Sequence, residues 1–533
     1  MKAFRKAIYA AALLLSCLVG RAQTNETPKI VRSSNGHPTL LVDGKPYMIL
    51  GGQCGNSSNW PATLPNVWNI MKKLNANTLE VPIYWEEIEP VRGSYDLSSV
   101  QLLLDQAREN DMRLVLLWFA TWKNGSNHYM PEWMKLDYKK YYNVTAKDGS
   151  AVDSPSPHCE AAMELDAKAF TQVMKYLKEN DPQHTVIMVQ VQNEPGTWGS
   201  VRDYSKEADK LFAKKVPAKL LKDDVLKELG VAPGTRGSWS EVFGDRADEY
   251  FHAWHIASYI EYVASAGKKV NDLPLYVNAA LRNPLTDPMA NSYESGGPTD
   301  NVIPIYKAAA PSIDIVAPDI YESEDAKISA IIRLYDRPDN ALFVPENGGR
   351  NKFLYEVLSR GIGFAPFGVD NGDPSRHDAL AADYRLLRPI AGQLAAWAAE
   401  GRLHSAYEPV ENRVQRVDLG EWEAVLTFGK ALKTNDIPEG IIAGSEAPAA
   451  GKILIVKLDE GDFLVVGNDV RCSFRPLGKK EGRPWHFLRV EEGEYDADGN
   501  WVMRRVLNGD ETDWKGPHIG SSPKMLRIRT YAR

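Results

Sequence analysis

The sequence predicts a (β/α)8 barrel (a TIM barrel, α/β class) followed by a C-terminal antiparallel β-sandwich. Three observations carry that prediction. Residues 30 to 400 alternate short apolar runs with stretches of helical periodicity, the rhythm of a parallel sheet. Eight such runs can be counted, which points to a closed barrel more than to an open sheet. From about Gly401 the rhythm stops, and short β-rich runs separated by turn signals take over. At 533 residues the chain is too long for one ordinary core. A barrel alone takes roughly 250 to 400 of them.

The eight runs are Tyr47–Gly51, Thr78–Tyr84, Arg113–Trp118, Val186–Gln192, Leu275–Ala279, Ile313–Pro318, Leu342–Val344 and Gly361–Phe367. Several are almost continuously apolar, as parallel strands covered on both faces must be. After the fourth run, residues 200–237 break the pattern. This stretch is rich in Lys and Asp, has helical periodicity around Ala213–Leu229 and is punctuated by Pro233-Gly234, so it reads as an insertion above the barrel. A long helix over about Asp245–Ala266 follows. The C-terminal strands are expected at Trp422–Phe428, Lys452–Val456, Asp462–Val466, Trp485–Val490, Trp501–Val506 and Lys524–Thr530, with turns at Asp459-Glu460-Gly461 and Asp498-Gly499-Asn500. The domains are therefore a signal segment over 1–22, a barrel over 23–400 and a sandwich over 401–533.

The first 22 residues read as a secretory signal. Lys2, Arg5 and Lys6 supply positive charge, Ala7–Val19 is the apolar stretch, and Gly20-Arg21-Ala22 puts small residues at the cleavage positions. Export to the periplasm or the extracellular space is expected, with Gln23 as the mature start. The alternative is a lipid anchor on Cys17, but that residue lies inside the apolar run. The apolar stretch is too short to anchor by spanning a bilayer, and no other stretch is apolar enough to cross one. Three cysteines, Cys54, Cys159 and Cys472, would survive cleavage, so at least one thiol stays free; a Cys54–Cys159 bridge is open. The net charge of −7 argues against a nucleic-acid partner. Fourteen tryptophans suit sugar binding as well as core packing.

Chemistry concentrates at two strand ends. Val189-Gln190-Val191-Gln192 runs into Asn193-Glu194-Pro195, and Leu342-Phe343-Val344 runs into Pro345-Glu346-Asn347. Carboxyl groups at the C-terminal ends of barrel strands project into the mouth, where barrel chemistry sits. The two end strands four and seven, on opposite sides of one mouth. That is the arrangement glycoside hydrolysis requires: one carboxyl group protonates the leaving oxygen and the other attacks the anomeric carbon. Asn193 is placed to hydrogen-bond a sugar hydroxyl beside the reacting carbon.

In this pattern the chain resembles the clan A glycoside hydrolases, whose acid/base and nucleophile end strands four and seven. Within the clan it is most similar to glycoside hydrolase family 35, the β-galactosidases, in a bacterial branch with a C-terminal β-domain. The residues carrying the likeness are Leu41-Val42-Asp43-Gly44-Lys45-Pro46-Tyr47, Asn77-Thr78-Leu79-Glu80-Val81-Pro82-Ile83-Tyr84-Trp85 with Glu89-Pro90, Gly93-Ser94-Tyr95-Asp96, Asn193-Glu194-Pro195 and Glu346. They span about residues 35–395. Pro195 stands where that family usually has Tyr, and Trp118-Phe119-Ala120-Thr121-Trp122-Lys123-Asn124 departs from its usual sequence, so families 42 and 5 stay open. The resemblance implies that Tyr321, ending strand six, hydrogen-bonds Glu346; the alternative is a wall aromatic.

Further sugar contacts are expected from Asn278 at the end of strand five and from Trp85, Trp118 and Trp122 at the ends of strands two and three. At least one of these tryptophans should form a sugar platform, although Trp85 has packing against the barrel top as its alternative. Glu80 alternates with apolar residues and should point into the barrel, as a sugar ligand or in a buried ion pair. Phe367 and Asp370 should shape the pocket. Metal-protease, serine-hydrolase, phosphate-loop and dinucleotide motifs are all missing from the sequence, so no metal or organic cofactor is expected. The expected function is a retaining exo-glycosidase acting on terminal β-D-galactosyl residues of a carbohydrate substrate. Its rivals are the same mechanism on a glucoside, mannoside or glucosaminide, and a non-catalytic glycan-binding barrel. Oligomeric state is not legible in the sequence.

Overall fold

The computed structural model describes residues 26–409, 413–429, 450–513 and 515–533. The expected signal segment, Cys17 and the Gln23 start lie outside the described residues. Eight parallel strands form the barrel: β1 (Ile49–Gln53), β2 (Thr78–Tyr84), β3 (Arg113–Lys123), β4 (Val186–Asn193), β5 (Leu275–Ala280), β6 (Ile315–Ile320), β7 (Glu346–Asn347) and β8 (Gly363–Phe364). They lie in the order β8-β1-β2-β3-β4-β5-β6-β7. A parallel bridge between Val344 and Phe364 joins β7 to β8 and closes the ring.

The sixth strand is shifted two residues on from Ile313–Pro318, the eighth keeps only Gly363–Phe364 of Gly361–Phe367, and the seventh lies just beyond Leu342–Val344. The departures of the first and seventh strands have identifiable reasons. The first begins at Ile49 because Lys45–Tyr47 folds back on Pro38–Val42 as an antiparallel hairpin. Asp43 and Gly44 make its turn, with φ of 51° and 72°, as two-residue hairpin loops require. The seventh is short because Pro345 has no N–H to give to the ladder. The third runs to Lys123, five residues beyond the expected end.

Alternation along β3 separates two cores. Val115, Leu117 and Phe119 point into the barrel, where they meet Ile49, Ile187, Tyr276, Ile315 and Phe343, with Leu40 and Val42 of the hairpin in the same cluster. Leu114, Leu116, Trp118, Ala120 and Trp122 face outward and join the core beneath the helices. Two long helices, Glu160–Asn180 and Ala247–Lys268, pack on one another over this side. They approach so closely that a Cβ on Gly267 would lie 2.4 Å from the Phe170 ring, so only glycine fits there. Between β4 and the second of these helices, the insertion holds short helices Lys206–Phe212, Asp223–Glu228 and Trp239–Phe243. Cys54, Cys159 and Cys472 are buried free thiols, so the Cys54–Cys159 bridge does not form. No helix among the described residues is long and apolar enough to cross a membrane.

Beyond residue 401 two antiparallel sheets, of six and four strands, stack face to face. Trp422, Leu426 and Phe428 of the smaller sheet meet Ile453, Phe463, Val465 and Ile528 of the larger. The other face of the larger sheet, with Leu454, Val456, Leu464, Val466 and Met525, is part of the barrel's outer core. Besides the more exposed Arg385–Glu494 pair, one buried ion pair crosses this junction among the described residues. Lys452 Nζ lies 2.9 Å from Asp383, and both are almost wholly buried. Tyr355 donates to the other Asp383 oxygen at 2.7 Å. Removing one partner strands a buried charge at a cost of about 3–5 kcal/mol, whereas replacing both with apolar groups is close to neutral. We therefore expect K452M to unfold at markedly lower denaturant concentration and K452M/D383L to recover most of the loss. A K452M midpoint equal to that of the parent would show that the pair contributes nothing.

Candidate active site

The mouth of the barrel is built from the ends of β1 and of β3 to β7. β4 delivers Asn193 and then Glu194. Gln192 and Glu194 adopt φ of 67° and 44°, a left-handed backbone that costs non-glycine residues about 1–3 kcal/mol. Neighbouring loops hold it in place. The Glu194 amide donates to Asn278 Oδ1 at 2.9 Å. The Glu194 carbonyl accepts from the Gly125 amide at 3.0 Å. The twist turns the Glu194 side chain over the barrel mouth instead of along the strand.

Glu346 sits on β7 opposite Asp319 of β6 in the ladder. Tyr321 donates its hydroxyl to Glu346 Oε1 at 2.5 Å, and Gln53 Nε2 donates to Oε2 at 3.2 Å. One carboxyl oxygen from each of Glu194, Asp319 and Glu346 lies within 4.8 Å of the others. This separation suits direct attack by one carboxylate, where inverting pairs stand about 6.5–9.5 Å apart.

Burial and the crowding of carboxyl groups raise the affinity of Glu194 and Asp319 for protons. Burial, and then the charge of Glu346, push the Glu194 carboxyl up to about 7, with Lys123 opposing. Burial and the charges of Glu346 and Glu194 hold Asp319 well above the usual carboxylate range. Burial, then the Glu346 charge, likewise raise the Tyr321 phenol, which keeps its proton and stays a donor. The three carboxyl groups are also the one cluster with ligand-like spacing among the described residues. A hard cation there would need several more oxygen ligands, and all three acids would have to be ionised. The raised proton affinity of Glu194 and Asp319 opposes that.

The other expected contacts divide. Asn193 is fully buried; its Oδ1 accepts from Lys123 Nζ at 2.8 Å, while its Nδ2 has no partner. A buried donor without a partner at this position is ready for a substrate hydroxyl. Asn278 does not serve as a sugar ligand, because its side chain is used on Glu194 and, through Nδ2 at 2.6 Å, on Asp319. Trp85, Trp118 and Trp122 are fully buried and present no face to a sugar. Trp118 and Trp122 lie on the outward side of β3, and Trp118 Nε1 donates to Asp166 of the helix behind it at 2.8 Å. Trp85 donates to Glu89 at 2.9 Å, its packing alternative. Glu80 points into the barrel but is sealed from solvent. It accepts from the Tyr276 hydroxyl at 3.1 Å and makes neither a sugar contact nor an ion pair among the described residues. Asp370 ties the loop after β1 to the loop after β8 through the Gly55 amide and the Ser58 hydroxyl, and the Phe367 amide donates to the Asn347 carbonyl. The half-exposed aromatics on the mouth side are Trp60, Trp198 and Tyr321, 42%, 49% and 52% exposed. Trp198 is held by its indole N–H on the buried Glu294 carboxylate.

Gln53, Lys123 and Asp319 were not picked out from the sequence. Each is a polar residue ending an apolar strand, the same signal that marked Glu194. Lys123 becomes visible only once β3 is known to run that far.

A family model described as β-galactosidase, glycoside hydrolase family 42, matches residues 54–248, and a domain of unknown function, DUF5597, matches residues 380–517. A β-galactosidase of Xanthomonas manihotis is 27% identical over 214 residues, covering 38% of this chain and 33% of that protein. Among solved structures, a β-galactosidase from Bacillus circulans sp. alkalophilus aligns with a TM-score of 0.48 and 14% identity, over 65% of this chain and 57% of that one. A β-galactosidase from the haloarchaeon Halorubrum lacusprofundi aligns at 0.45 and 15%, over 63% and 58%. The chain spans about one third of the curated relative and under two thirds of these solved chains. Over residues 54–248 the chain is similar to the β-galactosidases of the family 42 model, not to the family 35 that its motifs resemble.

Proposed function

We propose that this protein is a retaining exo-β-galactosidase, with Glu346 as nucleophile and Glu194 as acid/base. The observation that carries the reading is the approach of the two carboxyl groups within 4.8 Å at the ends of β7 and β4. Glu346, held by Tyr321 and Gln53, attacks the anomeric carbon while Glu194 gives its proton to the departing oxygen. The product of this step is a glycosyl ester on Glu346. Glu194, now ionised, draws a proton from water, which opens the ester with net retention. Asn193 Nδ2 is free to bind the hydroxyl next to the reacting carbon. The galactosyl preference is supported by the β-galactosidase family match. The N-terminal pattern supports export, which mass spectrometry of the mature start would test.

A panel of aryl β-glycosides tests the reading. Hydrolysis should be fastest for the β-galactoside, and the first product seen by NMR should be the β-anomer. Turnover of another β-glycoside alone would reassign the sugar. An α-anomer as first product would remove the double displacement.

A further inference from the structure

The two-carboxylate mechanism has no task for the third acid in the pocket. Asp319 is 2% exposed, and no cation pairs with it among the described residues. Its Oδ2 accepts from Asn278 Nδ2 at 2.6 Å, and the same Asn278 receives the Glu194 amide on Oδ1. Its Oδ1 is buried and has no hydrogen-bond partner among the described residues. A proton on Asp319 turns its contact with the Glu194 side chain into a hydrogen bond. The charged and titratable groups around it are Glu194, Glu346, Lys123, Tyr276, Tyr321 and Tyr335. With Glu346 required as an anion a few ångströms away, a second fixed negative charge would have to be buried beside it without an ion-pair partner in contact, since the Lys123 ammonium is held by Asn193 and Asn124 and acts on Asp319 only from a distance.

We propose that Asp319 is the positioning residue of the acid/base: it stays a neutral carboxylic acid and donates a hydrogen bond to the Glu194 carboxyl, while Asn278 holds its other oxygen. This rests on the glycosidase reading above. The bond does two things. Before the first step it engages one Glu194 oxygen as acceptor, so the Glu194 proton sits on the other, toward the leaving group. After that step it stabilises the Glu194 carboxylate that activates water. No proton leaves Asp319 at any stage, so the balance of the reaction is unchanged.

The test uses D319N, which keeps one donor toward Glu194 and one acceptor toward Asn278, and D319A, which keeps neither. D319A should lower kcat about 10²-fold with a smaller change in KM, as loss of a properly held acid/base does. D319N should recover at least about tenfold of that loss and keep the alkaline limb of the pH–rate profile in place. Difference infrared spectroscopy at neutral pH should find the C=O stretch of a protonated carboxyl in the parent that is missing from D319N. If Asp319 is instead an anion, D319N removes a charge that raises Glu194. Its alkaline limb would then move down by about one unit or more, and no carboxyl band would be lost; either result overturns the proposal. Equal activity in D319A and the parent overturns it too. Should D319A fail to fold, the limb and the infrared band in D319N decide alone. Failure of the glycosidase reading looks different: the unmodified protein would hydrolyse nothing in the panel.

Discussion

Replacing Glu346 with Ala or Gly should abolish glycosylation for every leaving group, with kcat falling on the order of 10⁴-fold or more. The substitution deletes the attacking atom, and nothing else at the mouth can take its place. Asp319, its ladder partner, is held by Asn278 and kept neutral by its surroundings. Glu194 lies within reach but is protonated when the first step begins. A better leaving group therefore gives no relief, because departure is not the obstacle. Tyr321 and Gln53, which donate to Glu346 in the intact protein, would be left around a small space on that side of the sugar. Azide entering that space should attack an activated aryl β-galactoside directly and give the α-azide. Steady-state rates on nitrophenyl and methyl galactosides, with and without azide, check this. Residual activity above about one hundredth of the parent would place the nucleophile elsewhere.

How much of this could be read from the sequence depends on what each residue's signal encodes. The barrel was legible because parallel strands buried on both faces must be apolar throughout, and eight such runs survive insertions between them. Glu194 and Glu346 were legible because a carboxyl group that ends an apolar strand has few structural uses. The tryptophans misled for a reason of parity. Trp118 was taken as the last residue of its strand, where a side chain faces the mouth. The strand in fact continues to Lys123, which leaves Trp118 and Trp122 on the face that meets the helices. The Asp43-Gly44 turn signal was present, yet Tyr47, the last residue of the hairpin it makes, was drawn into the first barrel strand. Asn278 and Asp319 were hidden differently. Their roles are to hold Glu194 across β4, β5 and β6, and that relation exists only when the strands lie side by side. The motifs that resemble family 35 did not decide the family, and the model that matches residues 54–248 is that of family 42.

Replacing Glu194 with Ala should damage the reaction in a different way from replacing Glu346. The acid must keep its proton near neutral pH, and burial together with the Glu346 charge pushes the Glu194 carboxyl up to about 7. In the parent, kcat/KM should therefore fall as pH rises past that region, because the proton donor is lost. It should also fall at low pH as the pair takes up its last proton, and both limbs belong to the coupled pair. An aryl galactoside with an activated leaving group needs little protonation on departure. Its first step should survive in E194A, while a methyl galactoside should lose about 10²–10⁴-fold. The second step slows for both, since no base remains to draw a proton from water, so the glycosyl ester on Glu346 should accumulate. A burst of aryl alcohol equal to the enzyme present would report it. The alkaline limb should vanish from the activated substrate's profile along with the group that caused it. Azide needs no base, so it should discharge the ester and restore turnover, giving β-galactosyl azide with configuration retained over two inversions. NMR of that azide decides the roles. An α-azide from E194A would exchange the two glutamates, and full activity in E194A without azide would remove Glu194 from the mechanism altogether.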